Sequence, residues 1–260
     1  MPFELGPIAA GRAYRLVAFD ETGSTNTEAM ERARAGERGP VWFVTTLQTA
    51  GRGRRHRSWV APRGNLASSI LEVTQVAAPV AATLGFAAGL ALETALRRLS
   101  TNGARFSLKW PNDVLAGSHK LSGILLEAEA VGDGLAVVVG IGTNVVAAPE
   151  GTPTPATSLR ALGMDVDAET LFAALSDSWV EFRGIWDNGR GFAEIRRLWL
   201  ARAAGLGQAV AIKTGGTAIE GIFDTIDEQG CMIVRTSAGR LVPVTAGDVY
   251  FGAAASVGAA

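Results

Sequence analysis

The stretch that most restricts the fold is residues 121–141, where two β-prone apolar runs, 121–130 and 135–141, are separated only by Val131-Gly-Asp-Gly134. So short a turn can join only antiparallel neighbours, because a parallel crossover needs a dozen or more residues. Further β-prone runs at 14–19, 41–46, 65–73 and 106–110 outnumber the helical ones. The chain therefore predicts a mixed sheet in an α+β domain and argues against alternating βαβ units.

The helical pattern predicts helices at 27–35, about 79–99, about 167–186 and 191–204, with Ser24, Thr25 and Asn26 as caps for the first. Pro111 ends the strand at 106–110, since proline cannot continue a ladder. Residues 147–155 form a Pro-rich loop. After Gly205-Leu-Gly207 the texture changes to short β-prone runs divided by Gly-Gly, Asp-Glu-Gln-Gly and Ser-Ala-Gly-Arg turns. We expect a small barrel of roughly 45 residues there, too small to stand securely alone and so docked on the rest. Residues 252–260 are expected to fray.

Composition narrows the function classes. With 24 Lys+Arg against 25 Asp+Glu, the protein as a whole is no polyanion binder, and any phosphate affinity must be local. A single cysteine, Cys231, and two histidines exclude a disulfide framework and a cysteine-based metal site, which suits a reducing compartment. The N-terminus has no basic region followed by an apolar run, so no signal peptide is expected. The long apolar run 76–92 contains Pro79 and Thr83 and leads into Glu93 and Arg97, which reads as a buried helix and not a membrane span.

Four polar clusters stand at predicted strand ends: Ser24-Thr-Asn26, the loop Gln48-Thr-Ala-Gly-Arg-Gly-Arg-Arg-His-Arg-Ser-Trp59, Lys109-Trp-Pro-Asn-Asp113 with Lys120, and Gly140-Ile-Gly-Thr-Asn144. If their strands share one sheet, these ends converge. The basic loop concentrates guanidinium groups suited to carboxylate and phosphate oxygens, with glycines that let backbone N–H groups approach the same anion. Taken singly, the loop also reads as a solvated basic patch or a nucleic-acid grip, Ser24 to Asn26 as helix caps, Gly142 to Asn144 as a turn, and Lys120 as a surface lysine. Gly51-Arg-Gly-Arg-Arg-His56 lacks the third glycine of a dinucleotide fingerprint and no helix is predicted after it, and no P-loop motif occurs.

Together the clusters resemble those of biotin-protein ligases, in order and approximate spacing: Ser24-Thr-Asn26, Gln48-x-x-Gly-Arg-Gly-Arg-Arg-x-Arg-x-Trp59, Lys109-Trp-Pro-Asn-Asp113, Lys120-Leu-Ser-Gly-Ile-Leu-Leu-Glu127 and Gly140-x-Gly-x-Asn144. The resemblance covers nearly the whole chain. It implies a mixed-sheet catalytic domain of class II synthetase type over 1–205 and an SH3-like barrel over 206–260. It also implies a two-step reaction, in which biotin and Mg-ATP give biotinyl-5'-adenylate and pyrophosphate, and the adenylate then acylates one lysine of a biotin carboxyl carrier protein or domain.

Carried over by residue, Ser24, Thr25, Asn26 and Gln48 would hold the ureido ring. Arg52, Gly53 and Arg54 would grip the biotin carboxylate and the phosphate, with Lys120 on the reacting oxygens. Gly123 would line the biotin wall. Arg57, Trp59, Lys109, Asn112, Asp113, Gly142 and Asn144 would serve the nucleotide, Asp113 also standing near Mg2+. No bound redox cofactor, DNA or membrane is implied, the location would be cytoplasmic, and a homodimer is allowed.

One departure stands out. The family's basic loop has glycine where this chain has His56, and if that position needs φ > 0 a histidine would cost about 1 kcal/mol, loosening the loop's hold on the adenylate. About twenty residues precede Ser24, too few for the winged helix of repressor-type relatives, so a ligase without operator binding is expected. Two rivals remain: a lipoate-class enzyme, which would not need the Ser24, Thr25, Asn26 and Gln48 set, and a nucleic-acid module, which would leave Lys109 to Asp113 without a purpose.

Overall fold

A computed structural model describes residues 2–152, 154–214 and 217–251, without the side chains of His56, Thr214 and Thr217. Residues 252–260, expected to fray, lie outside the described residues. The first part of the chain forms α1 (Pro7–Ala10), β1 (Arg15–Phe19), α2 (Thr25–Arg34), β2 (Val41–Thr45), β3 (Leu66–Thr74), α3 (Ala78–Ala82), α4 (Leu84–Leu99), β4 (Phe106–Lys109), β5 (Asp113–Ala116), β6 (His119–Val131) and β7 (Gly134–Thr143). These seven strands make one sheet in the order β1-β2-β3-β7-β6-β5-β4, with β1 and β2 parallel and every other pair antiparallel. The mixed α+β sheet expected from the turns is what forms.

Side-chain alternation sorts the two faces. Val41 and Phe43 of β2 and Ala136 and Val138 of β7 pack against Ala29, Met30 and Ala33 of α2. Their neighbours Trp42, Val44, Val137 and Val139 point the other way, into the core beneath α4, α5 (Ala168–Trp186) and α6 (Phe192–Leu200). There Trp42 meets Phe172 and Trp179 edge to face, at centroid distances of 5.5 and 5.9 Å. The apolar run 76–92 is part of this core, with Leu90, Ala91 and Leu92 fully buried.

The single helix expected at 79–99 is instead two, broken at Thr83. Its hydroxyl donates back to the Val80 carbonyl (2.6 Å) and accepts from Trp186 Nε1 (2.7 Å), a local alternative to the helical ladder. Pro111 does end its strand, since β4 stops at Lys109, and what the sequence reading lacked is the strand that follows. The chain turns through Trp110-Pro111-Asn112 and resumes as β5, with Lys109 and Asp113 as cross-strand partners.

The remaining strands are β8 (Ala209–Thr214), β9 (Thr217–Ile226), β10 (Met232–Arg235), β11 (Leu241–Val244) and β12 (Asp248–Phe251). They pair antiparallel in the order β11-β10-β9-β8-β12. This corrects the expected barrel: the sheet is open, with β11 and β12 as its two edges among the described residues. Four- to ten-residue strands give the local β signal without saying whether the edges meet. The expected docking does occur. Val210, Ile212, Phe223, Met232 and Val249 join the same core as α4 and α6, and Trp110 Nε1 donates to the Gly230 carbonyl at 3.0 Å.

Candidate functional site

The N-terminus of α2 makes the neutral end of a cavity. Ser24, Thr25 and Asn26 are buried, and Ser24 makes no side-chain capping bond, so capping is not what these residues do here. Gln48 Oε1 instead accepts from the Thr25 N–H (2.8 Å) and hydroxyl (3.1 Å). Ser69, buried on β3, donates to Thr25 Oγ1 at 2.7 Å or Asn26 Oδ1 at 2.6 Å; its one proton serves one of them at a time. Asn26 Nδ2 reaches Glu127 at 2.7 Å, and Glu127 receives Arg52 at 3.2 Å. A Cβ at Gly140 would run into Asn26, so the glycine is what admits this side chain.

The basic loop makes the other end. It closes on itself through Gly53 N–H to Arg57 O (2.7 Å) and Trp59 N–H to Gly51 O (2.9 Å). Arg54 points inward to Asn112 Oδ1 at 3.2 Å, and Asn112 is fixed by its Nδ2 donating to the Ile124 carbonyl at 2.8 Å. Lys120 forms a 2.7 Å ion pair with Asp113 and stands 5.6 Å from the Trp59 ring centroid. Lys109 is buried, with Nζ 3.5 Å from Thr154 Oγ1 and 5.9 Å from the Phe251 ring centroid.

Burial pushes the pKa of Lys109 down, against the pull of Asp113 and with the push of Lys120. Burial likewise lowers that of Arg54, with Arg55 adding to it. Three cations thus share a partly dry space in which Asp113 and Asp248 are the nearby countercharges. An anion entering that space relieves their mutual repulsion.

Trp59 lies between the two ends. A Cβ at Gly142 would stand 2.6 Å from its indole, and one at Gly123 would stand 3.2 Å from both Trp59 and Lys120. The glycines therefore make the slot that accepts this ring. Trp59 Nε1 and Asn144 Oδ1 are buried without a hydrogen-bond partner among the described residues, one donor and one acceptor left unmatched.

All sixteen candidate residues line one cavity of about 420 Å³. Sequence reasoning missed three groups. Ser69 reads as an ordinary strand residue, although a hydroxyl on an inward β position is a signal in retrospect. Glu127 closes one of the motifs, yet its contact with Asn26 shows only in three dimensions. Asp248 and Tyr250 reach the cavity from β12. Asp248 holds Arg55 at 2.9 Å and Arg57 at 2.7 Å, so Arg57 lines the cavity with its guanidinium on a carboxylate. The left-handed residue of the loop is Arg55 (φ 55°, ψ 36°), one position before the expected one, and the His56 side chain lies outside the described residues.

With this fold and cavity, the chain belongs to the biotin/lipoate A/B protein ligase family, whose model matches residues 18–144, followed by the biotin protein ligase C terminal domain over 205–252. Within that family the similarity runs to biotin ligases. The biotin–[acetyl-CoA-carboxylase] ligase of Paracoccus denitrificans is 42% identical over 238 residues, 89% of this chain and 98% of that one. The enzyme of the same name from Mycobacterium tuberculosis is 37% identical, covering 93% and 91%. The biotin protein ligase from Aquifex aeolicus in complex with biotin and ATP superposes with a TM-score of 0.74 at 27% identity, covering 92% and 98%.

Proposed function

We propose that this chain is an ATP-dependent ligase that activates biotin as biotinyl-5'-AMP and transfers it to a lysine of a biotin carboxyl carrier protein or domain. The observation that carries the reading is a cavity with two chemistries: a neutral hydroxyl and amide network at one end and three inward cations at the other. A ureido ring asks for the first, because an unpaired buried polar edge costs about 1–3 kcal/mol. A carboxylate meeting a triphosphate asks for the second, because two anions repel unless cations intervene.

We assign Ser24, Thr25, Asn26 and Gln48 to the ureido ring, with Gly123 in the biotin wall. Arg52, Gly53, Arg54 and Lys120 serve the carboxylate and the α-phosphate. Arg57, Trp59, Lys109, Asn112, Asp113, Gly142 and Asn144 serve the nucleotide, an assignment supported by the unmatched donor on Trp59 and acceptor on Asn144. In the first step a biotin carboxylate oxygen bonds to the α-phosphorus of ATP, and the bond to the bridging oxygen breaks to release pyrophosphate. In the second, the neutral carrier amine bonds to the acyl carbon, the bond to the phosphate oxygen breaks, AMP leaves, and the amine proton passes to solvent. Lys120 and Arg54 hold position and charge throughout, without transferring a proton.

Asp113 is a single carboxylate already paired with Lys120, and no cluster of three metal-ligating side chains occurs among the described residues. That donor set fits a Mg2+ held mainly by the triphosphate, to which the chain adds at most Asp113, and which would neutralise charge on the leaving pyrophosphate. The division we propose, 1–205 and 206–260, follows the two sheets. We assign the reaction to the cytoplasm, in keeping with a lone unpaired cysteine. A homodimer is compatible with this assignment.

Pyrophosphate exchange into ATP tests the reading, run in parallel with biotin, lipoate and octanoate. Exchange that depends on biotin is expected; exchange supported only by lipoate or octanoate would move the chain to the lipoate branch, and none at all would reject ligase chemistry.

A further inference from the structure

The tip of the basic loop is anchored from outside its own domain. Asp248, the first residue of β12, accepts from Arg57 Nη1 and Nη2 at 3.2 and 2.7 Å and from Arg55 Nη1 at 2.9 Å. Its partners are 193 and 191 residues away in sequence. The base of the loop has separate anchors, Arg52 on Glu127 and Arg54 on Asn112. Between base and tip, the bonds from Gly53 to Arg57 and from Trp59 to Gly51 tie residues 51–59 into one piece. Restraining the tip therefore restrains Arg54 and Trp59 as well.

A second observation points the same way. Arg55 is held in the left-handed region, which disfavours a residue with a Cβ. Such a conformation persists where the surroundings favour it, and the contact it makes is with Asp248. Asp248 itself is kept ionised: burial opposes this, but Arg57 and then Arg55 and Arg54 outweigh it and hold its carboxyl below the usual range.

We propose that Asp248 is a positioning residue of the ligation reaction, a latch through which the open C-terminal sheet sets how long the basic loop stays closed over the adenylate. The proposal rests on the function assigned above and gives the C-terminal sheet a part in it: the sheet holds the cover of the site, and the carboxylate touches arginines and not the reacting atoms. A reactive mixed anhydride needs such a cover, since an early opening loses it to water before the carrier lysine arrives.

The test compares wild type with Asp248→Asn, which removes the charge at equal volume, and Asp248→Glu, which restores it. Two readouts are needed. Limited trypsin digestion of the ligand-free protein, followed by mass measurement of fragments ending at Arg52 to Arg57, reads the latch without any substrate. Release of preformed biotinyl adenylate reads its use in the reaction. Losing two half-exposed ion pairs should speed both nicking of the loop and release of the adenylate by about fivefold in Asp248→Asn, with Asp248→Glu near wild type and the circular dichroism unchanged. Nicking at the wild-type rate in a folded Asp248→Asn would overturn the latch. Faster nicking with unchanged adenylate release would overturn its role in the reaction. If wild type formed no adenylate at all, the ligase reading and the positioning role would fall together, while the nicking rates would still report whether Asp248 holds the loop.

Discussion

Lys120 is held at 2.7 Å by Asp113, so the cation assigned to the reacting oxygens has a carboxylate partner before any substrate enters. Substrate oxygens must compete with or extend that pair, which keeps the ammonium in place. Lys120→Ala should therefore lose about 10²–10³ in the rate of biotin-dependent pyrophosphate exchange while the circular dichroism stays native. A variant with near-full exchange would show that another cation does this work. Elsewhere, Arg15 and then the Gly39 N–H draw the Glu37 carboxyl from an ordinary value near 4.5 to about 2. A depressed folded pKa means stability that is present above the unfolded value and lost as pH falls between the two. Glu37→Gln should flatten the fall in melting temperature between about pH 5 and pH 2, and should leave exchange at pH 7 unchanged.

At the scale of elements, one side chain organises the start of the connection from β7 to α5. Asn65 is buried, and its Oδ1 accepts from the N–H groups of Val145 (2.9 Å), Val146 (2.9 Å) and Ala147 (3.2 Å), while its Nδ2 donates to the Ala147 carbonyl (2.8 Å). Asn65→Ala would strand several of these backbone groups and should cost about 2–4 kcal/mol in urea unfolding. The loop that follows, which brings Thr154 to Lys109, should loosen with it.

Much of this element structure was legible in the sequence. The hairpin at Val131 to Gly134 stated the antiparallel pairing outright, and continuous β-prone apolar runs located the central strands. What escaped notice did so for local reasons. Thr83 looks like any helical residue until Trp186 comes to bond it, and β5 follows a proline that reads as a stop. The edges of the C-terminal sheet stay apart although its strands read as those of a barrel, because strand signal carries no closure.

The whole molecule carries an unusual inventory of amines. Of its 24 cationic side chains only three are lysines: Lys109, Lys120 and Lys213. Two of them line the cavity, and the surface ion pairs, such as Arg34 with Glu129 and Arg197 with Glu194, use arginine. Guanidinium groups do not take up acyl groups under conditions where a neutral amine does. Incubated with biotin and Mg-ATP without a carrier, the chain should therefore acquire biotinyl groups outside the cavity only on Lys213 and on the α-amino group of the chain, no more than two per molecule. Intact-mass measurement and peptide mapping would check this, and labels on other side chains would contradict it.

By itself the sequence determined the kinds of groups the site would use, the order in which they come, and the β-rich framework that could gather them, because composition, spacing and alternation are local properties of a chain. Only the tertiary structure decided who meets whom. It set Ser69 and Glu127 beside Asn26, Asp113 beside Lys120, and Asp248 on the tip of the basic loop. Each of those pairings depends on strand order and register across the sheets, and the last joins residues nearly two hundred positions apart, at a distance where nothing in the local pattern of either partner names the other.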